Sequence, residues 1–289
     1  VAAHAAALAG VPLITHIRFR PDPAYCRWLF RPGRVPARLF FTSRTQLADS
    51  ADAIRPMVPE DRWRVLPNGL DFSMVGTHPE HRARLRQVWG LSDDSVAVGI
   101  ACAISVRKRV DHLIRLVARL RERGVDAYGF VAGQPHFPSD AVVLDGLQRL
   151  AAELNVGDRI RFLGYVEPSE PLYYAWDLCV STSSYETFGM TVLEAMACRC
   201  PVVTYPGGSV QEIVGDGGIV VRDGDEEALF AESLKLATDP AARRSLGERG
   251  HAHASARYDI RQIVPVLAQE YRQVASMGLR APRTSPETA

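Results

Sequence analysis

Two acidic residues at the start of one apolar helix are the part of this sequence best equipped for chemistry. In Ser181-Thr-Ser-Ser-Tyr-Glu186-Thr-Phe-Gly189-Met-Thr-Val-Leu-Glu194-Ala-Met-Ala197 a strand ends, a polar loop follows, Gly189 loosens the turn and a helix begins. The leading amides near Gly189, Met190 and Thr191 lack intrahelical acceptors and carry the positive end of the helix dipole, a combination suited to a phosphate. Glu186 can reach from the loop to accept hydrogen bonds from sugar hydroxyls. Glu194, further into the helix, can hold the cis-diol of a ribose, as acidic residues do in dinucleotide folds. Spacing alone leaves a second reading open, in which the acids merely complement the dipole.

Basic residues supply the counterpart. Lys108 lies in Ser105-Val-Arg-Lys-Arg109, between a strand and an arginine-rich helix. Cations at a helix start oppose its dipole, so the run asks for an anion. Lys108 with Arg107 or Arg109 would neutralise a departing diphosphate without a metal. A solvated basic run is the alternative. His16 follows a buried strand, where a lone histidine is more often structural. Arg18 and Arg20 beside it are weaker candidates for phosphate or acceptor contacts.

Other patterns carry less. Asp223-Gly-Asp225 reads as a turn and helix cap rather than a metal-sugar signature. Cys198-x-Cys200 has no partner pair at zinc spacing. If the backbone at Arg199 is left-handed, that arginine costs ~1 kcal/mol or more. His251-x-His253 reads as solvated on a polar late helix. No G-x-G-x-x-G opens a strand–helix unit, which argues against a nicotinamide dehydrogenase.

The elements that must position these residues alternate along nearly the whole chain. Strands are expected at 11–17, 37–43, 63–66, 96–102, 127–132, 160–164, 177–182, 201–204 and 219–221. Helices are expected at 1–9, near 44–55, 109–123, 141–154, 169–175, 190–197, 209–213, 226–237 and 241–256, and at 259–275. Short β-branched strands separated by helices mean parallel sheets covered on both faces, an α/β class in which ligands bind outside the carboxyl ends of the strands. Asn68-Gly69 reads as a turn supplying left-handed geometry, with a domain boundary there or just after.

The 289 residues are 47% hydrophobic and 23% charged, with net charge +1, enough for two ordinary domains and without the basic excess of a nucleic-acid binder. Five cysteines scattered through apolar segments suggest reduced thiols and a cytoplasmic protein. No apolar run approaches a membrane span, and the N-terminus lacks the basic flank of a signal peptide.

The motifs together resemble retaining glycosyltransferases of family 4, which have the GT-B fold. Glu186-x7-Glu194 is similar to the family's paired-glutamate signature, and Pro67-Asn-Gly-Leu-Asp71 to the entry to its second domain. Phe130-Val-Ala-Gly133, Phe162-Leu-Gly-Tyr-Val166, Asp177-Leu-Cys-Val-Ser-Thr-Ser, Pro201-Val-Val-Thr-Tyr-Pro-Gly-Gly208 with Glu212, and Pro12-Leu-Ile-Thr-His16 are similar to other family segments in the same order. The resemblance covers roughly residues 1–275.

It implies two facing Rossmann-like doubly wound domains. Residues 1–71 are expected to be the remainder of an incomplete acceptor-side domain, lacking on the order of a hundred residues, and 72–256 the nucleotide-sugar domain. Residues 257–277 are expected to cross back to the first domain, and 278–289 to form a disordered tail. By resemblance, Glu186 lies against the donor sugar with the backbone of Thr187, Phe188 and Gly189. The amides of Met190 and Thr191 meet the diphosphate, Glu194 the ribose, and Tyr165 and Val166 the base. Gly133 belongs to the same donor site, and His16 faces the sugar. A second basic residue of the family pattern is replaced by Ala103, so either Arg107 or Arg109 substitutes or leaving-group stabilisation is weakened. The implied reaction moves a hexosyl group from a UDP-, GDP- or dTDP-linked donor to a small-molecule, lipid-linked or polysaccharide acceptor hydroxyl, with retention and no metal or other cofactor. The resemblance assigns no protein nucleophile, and peripheral attachment to the inner membrane face is compatible with it. A non-catalytic nucleotide-sugar-binding fragment and a GT-B epimerase are the alternatives.

Overall fold

Each strand among the described residues contains β-branched or aromatic residues, which favour the pleated, half-buried surface of a sheet. In the computed structural model, which describes residues 2–32 and 34–277, the chain divides into two compact units. One takes Val1–Gly69 and Ile260–Ala289, the other Leu70–Asp259. The segment 278–289 lies outside the described residues.

In the first unit, β1 (Ile14–Ile17), β2 (Arg38–Phe41) and β3 (Trp63–Val65) form a parallel sheet in that order. Helices α1 (Ala2–Ala9), α2 (Pro23–Leu29) and α3 (Arg44–Ile54) alternate with them, and α12 (Ile260–Ser276) joins the same unit. Glu270 of α12 accepts from Arg38 at 2.8 Å and from Arg64 at 3.0 Å. Ile17, Leu39, Phe41, Ile54 and Trp63 make its core. Helix α2 was not evident from periodicity because only seven residues form it. Its start is set instead by Asp22, whose carboxylate accepts from the amides of Ala24 and Tyr25, and by Pro23 in the first turn.

The Asn68-Gly69 expectation fails in its geometry. Neither residue has a positive φ. Gly69 is needed for close approach: a Cβ there would come within 2.8 Å of Ile263 and 3.0 Å of the Ile260 backbone.

The second unit holds β4 (Val96–Ala101), β5 (Ala127–Ala132), β6 (Ile160–Gly164), β7 (Leu178–Ser181), β8 (Val202–Thr204) and β9 (Ile219–Val220). They form one parallel sheet in the order β6-β5-β4-β7-β8-β9, the dinucleotide-fold arrangement, with its reversal between β4 and β7. Alternation along β4 divides two cores. Val96, Val98 and Ile100 pack under α5 (Asp111–Glu122), α6 (Ala141–Glu153) and α10 (Glu226–Thr238), whereas Ala97 and Ala101 face the other layer. That second layer holds α4 (Pro79–Trp89), α7 (Glu170–Ala175), α8 (Met190–Ala197), α9 (Val210–Val214) and α11 (Pro240–Tyr258).

Helix α4 was also missed in the sequence, since arginines dominate it and only Arg86 and Trp89 are buried. Two of those arginines anchor it. Arg82 and Arg86 donate to Asp177, at 2.6 and 2.8 Å, and the Ala97 amide donates to the same carboxylate at 2.8 Å. His251-x-His253 is corrected too. His251 bonds the Ala197 carbonyl at 2.7 Å and His253 is half-buried against Gly215, because this face of α11 packs on α8 and α9. Asp225 caps α10 through the Ala228 amide, as its position suggested. Arg199 does adopt a left-handed backbone, φ 58°.

Candidate active site

The reversal of strand order leaves a cavity of about 580 Å³ outside the carboxyl ends of β4, β5 and β6. Gly133, Tyr165, Val166, Thr191 and Glu194 line it, so five of the expected donor residues converge on one space. Thr191 belongs to the first turn of α8, which starts at a left-handed Gly189 with no side-chain cap. Its leading amides therefore keep the anion-binding character of a helix start.

Glu194 is held on the cavity wall by α7. Tyr173 Oη donates to its carboxylate at 2.9 Å and Ser169 Oγ at 3.4 Å. Burial pushes the Glu194 carboxyl above its usual range, against the Tyr173 bond, which holds it down. Neither Ser169 nor Tyr173 was singled out from the sequence. Their i, i+4 spacing in the helix after Phe162-Leu-Gly-Tyr-Val166 was the available signal.

Glu186 does not line this cavity, whereas Cys102 does. The Cys102 thiol, pushed up to about 12 by burial, lies within electrostatic reach of Lys108, Glu186 and Arg107. Lys108 Nζ pairs directly with Glu186 Oε1, and both side chains are largely buried. Arg107 is 3.8 Å from the other carboxylate oxygen and donates to the Tyr185 carbonyl. Arg109 takes another direction and bonds Asp223 at 2.8 Å. Of the two substitutes considered for Ala103, Arg107 is thus the one beside Glu186.

Backbone bonds fix this geometry. Thr182 Oγ1 donates to the carbonyls of Lys108 and Arg109 at 2.9 and 2.8 Å, and the Ser184 amide donates to the Arg107 carbonyl at 3.0 Å. On the other side the Ser209 amide donates to the Glu186 carbonyl at 3.0 Å, and Ser209 Oγ to that of Thr187 at 2.7 Å. Phe188 turns its side chain into the core, 5.8 Å from the Tyr258 ring, and offers only backbone. Met190 is half-buried beside it.

His16 belongs to the first unit, where its ring stacks on Phe40 at 4.8 Å. Burial, then Arg18, holds its pKa below the usual histidine value. Arg18 bonds Asn68 at 3.0 Å, and Arg20 is exposed. Among the described residues one group has metal-ligand spacing, His78 with Glu80 and His81, and none of the three belongs to the residues above. All five cysteines are free thiols. Among the described residues no helix is long and apolar enough to cross a membrane.

The description "Glycosyl transferases group 1" belongs to a family whose sequence model matches residues 81–253. The chain is 32% identical over 234 residues to a GDP-mannose-dependent alpha-(1-6)-phosphatidylinositol monomannoside mannosyltransferase of Mycolicibacterium smegmatis, covering 77% of this chain and 58% of that one. It is 33% identical over 235 residues to a D-inositol 3-phosphate glycosyltransferase of Stackebrandtia nassauensis, covering 78% of this chain and 52% of the relative. The chain therefore spans little more than half the length of these relatives. Anabaena Alr3699/HepE, solved in complex with UDP and glucose, superposes with a TM-score of 0.85 at 23% identity, covering 94% of this chain and 74% of that one. The fold is that of the GT-B glycosyltransferases, and the chain belongs to the glycosyl transferases group 1 family.

Proposed function

We propose that this chain carries the donor-binding half of a retaining, metal-independent hexosyltransferase. The observation that carries the reading is the convergence of Thr191 and Glu194 on the switch-point cavity, with the Lys108–Glu186 pair within electrostatic reach of Cys102 on its wall. The base lies along Tyr165 and Val166, the ribose hydroxyls on Glu194, and the diphosphate on the amides of Met190 and Thr191.

Lys108 and Glu186 neutralise each other in the structure. An arriving diphosphate draws Lys108 to its oxygens and frees the Glu186 carboxylate for the sugar hydroxyls. As the bond to the sugar breaks, Lys108 and Arg107 stabilise charge developing on the leaving phosphate, the task usually given to a metal.

The relatives' printed donors and ligands, GDP-mannose and UDP with glucose, support a purine or uracil diphosphate. The inositol-containing acceptors in the relatives' names support a polyol or its phosphorylated lipid form as acceptor.

A panel of nucleoside diphosphates and their sugars tests the reading by thermal shift on this chain. A radiolabelled donor tests it with the whole protein in the presence of EDTA. A shift with one diphosphate, and a glycoside of unchanged anomeric configuration formed in EDTA, are expected. No shift with any nucleotide, or an isomerised donor in place of a glycoside, overturns it.

A further inference from the structure

Three metal-ligand side chains converge at the start of α4, apart from the residues used above. His78, Glu80 and His81 each present one donor atom, all within 4.8 Å of one another. His78 Nδ1 is 2.9 Å from a Glu80 carboxylate oxygen, and the two imidazole centroids are 5.3 Å apart. Packing from another helix orients both rings. Tyr174 of α7 stacks on His81 at 6.2 Å and meets His78 edge-on at 5.2 Å. Nδ1 of His78, which already faces the Glu80 carboxylate, is the nitrogen placed to share an ion with it.

A cation at a helix start works against the dipole and needs nearby carboxylates. Glu80 provides one. His78 and His81 also line a cavity of about 380 Å³, to which Glu170 contributes a further carboxylate.

We propose that His78, Glu80 and His81 bind one divalent transition-metal ion. Two imidazoles and a carboxylate suit Zn²⁺, Co²⁺ or Ni²⁺, whereas Mg²⁺ and Ca²⁺ take oxygen ligands. Zinc bonds to nitrogen and oxygen are about 2.0–2.2 Å, so donors now within 4.8 Å of one another must close to roughly 3.4 Å to share an ion. Three protein ligands leave a position for water. The transfer reaction makes no use of this site, which stands or falls independently of it.

The test uses the purified chain with ZnCl₂ by calorimetry and CoCl₂ by visible absorption. One saturable equivalent is expected, with cobalt bands of mixed nitrogen and oxygen coordination. Both signals disappear in His78→Ala and in His81→Ala while circular dichroism stays native. Glu80→Gln, at an exposed position, provides a variant that keeps the fold and weakens affinity tenfold or more. Binding that survives in all three variants places the ion elsewhere and overturns the proposal. So does the lack of saturable binding at millimolar metal.

Discussion

Lys108 and Glu186, 78 positions apart in the chain, form one ion pair within electrostatic reach of Cys102, which lines the switch-point cavity. Removing Glu186 leaves the largely buried Lys108 without this partner, at a cost of about 3 kcal/mol or more, whereas removing Lys108 leaves Glu186 with Arg107 at 3.8 Å and costs less. Lys108→Met and Glu186→Gln each lower the melting temperature, and the double variant loses less than the sum of the two. A double-mutant cycle by denaturant unfolding measures this coupling. Strict additivity would mean that the pair does not exist in solution.

Transfer activity separates the roles of the two acids. In the whole protein Glu186→Ala abolishes transfer, yet nucleotide binding remains measurable by calorimetry. Full activity in that variant removes Glu186 from the reaction.

Glu194 links stability to pH. Its folded-state carboxyl is raised by burial, so the neutral form is favoured in the folded chain. The stability contributed is complete below the unfolded value of about 4.3 and is lost as pH rises through the raised folded value. Glu194→Gln therefore melts above the parent near pH 7 and converges with it toward pH 4. The gain is a few degrees at most, since ~1 kcal/mol is worth about 2–4 °C at this size. The same variant loses its nucleotide-induced shift. Melts across this pH range, with and without nucleotide, check both halves of the prediction.

Gly133 has no room for a side chain. Its φ is +143°, and a Cβ would sit 1.7 Å from the Cys102 carbonyl oxygen. Gly133→Ala must push apart the loops after β4 and β5, destabilising the chain by ~2 kcal/mol or more and weakening nucleotide binding. Calorimetry showing parent-like affinity would place the nucleotide away from this wall.

Asp177 ties α4 to the sheet through Arg82, Arg86 and the Ala97 amide. Asp177→Ala strands two arginines, one of them buried, and is expected to cost about 3–5 kcal/mol. A drop in melting temperature of roughly 6 °C or more follows. A change below one degree would show the network to be marginal.

The strand at Val96–Ala101, the α8 start at Gly189 and the cap at Asp225 were legible because each depends on local composition or local hydrogen bonding. For the same reason the paired acids could be recognised as a candidate site from spacing and family resemblance. Helices α2 and α4 were not legible, because one is too short to show a period and the other is held by ion pairs to Asp177, a residue far along the chain. Gly69 was read as a turn residue, yet its requirement comes from Ile260 and Ile263, which no local pattern near Gly69 reveals. Long-range packing likewise sent Arg109 to Asp223 and Arg107 to the Glu186 loop, although the two cations are nearly adjacent in sequence. Types and spacings determined which groups were present and the strand–helix alternation that carries them. Only the tertiary structure decided their partners, because a charge's partner is set by which loops the sheet order brings together.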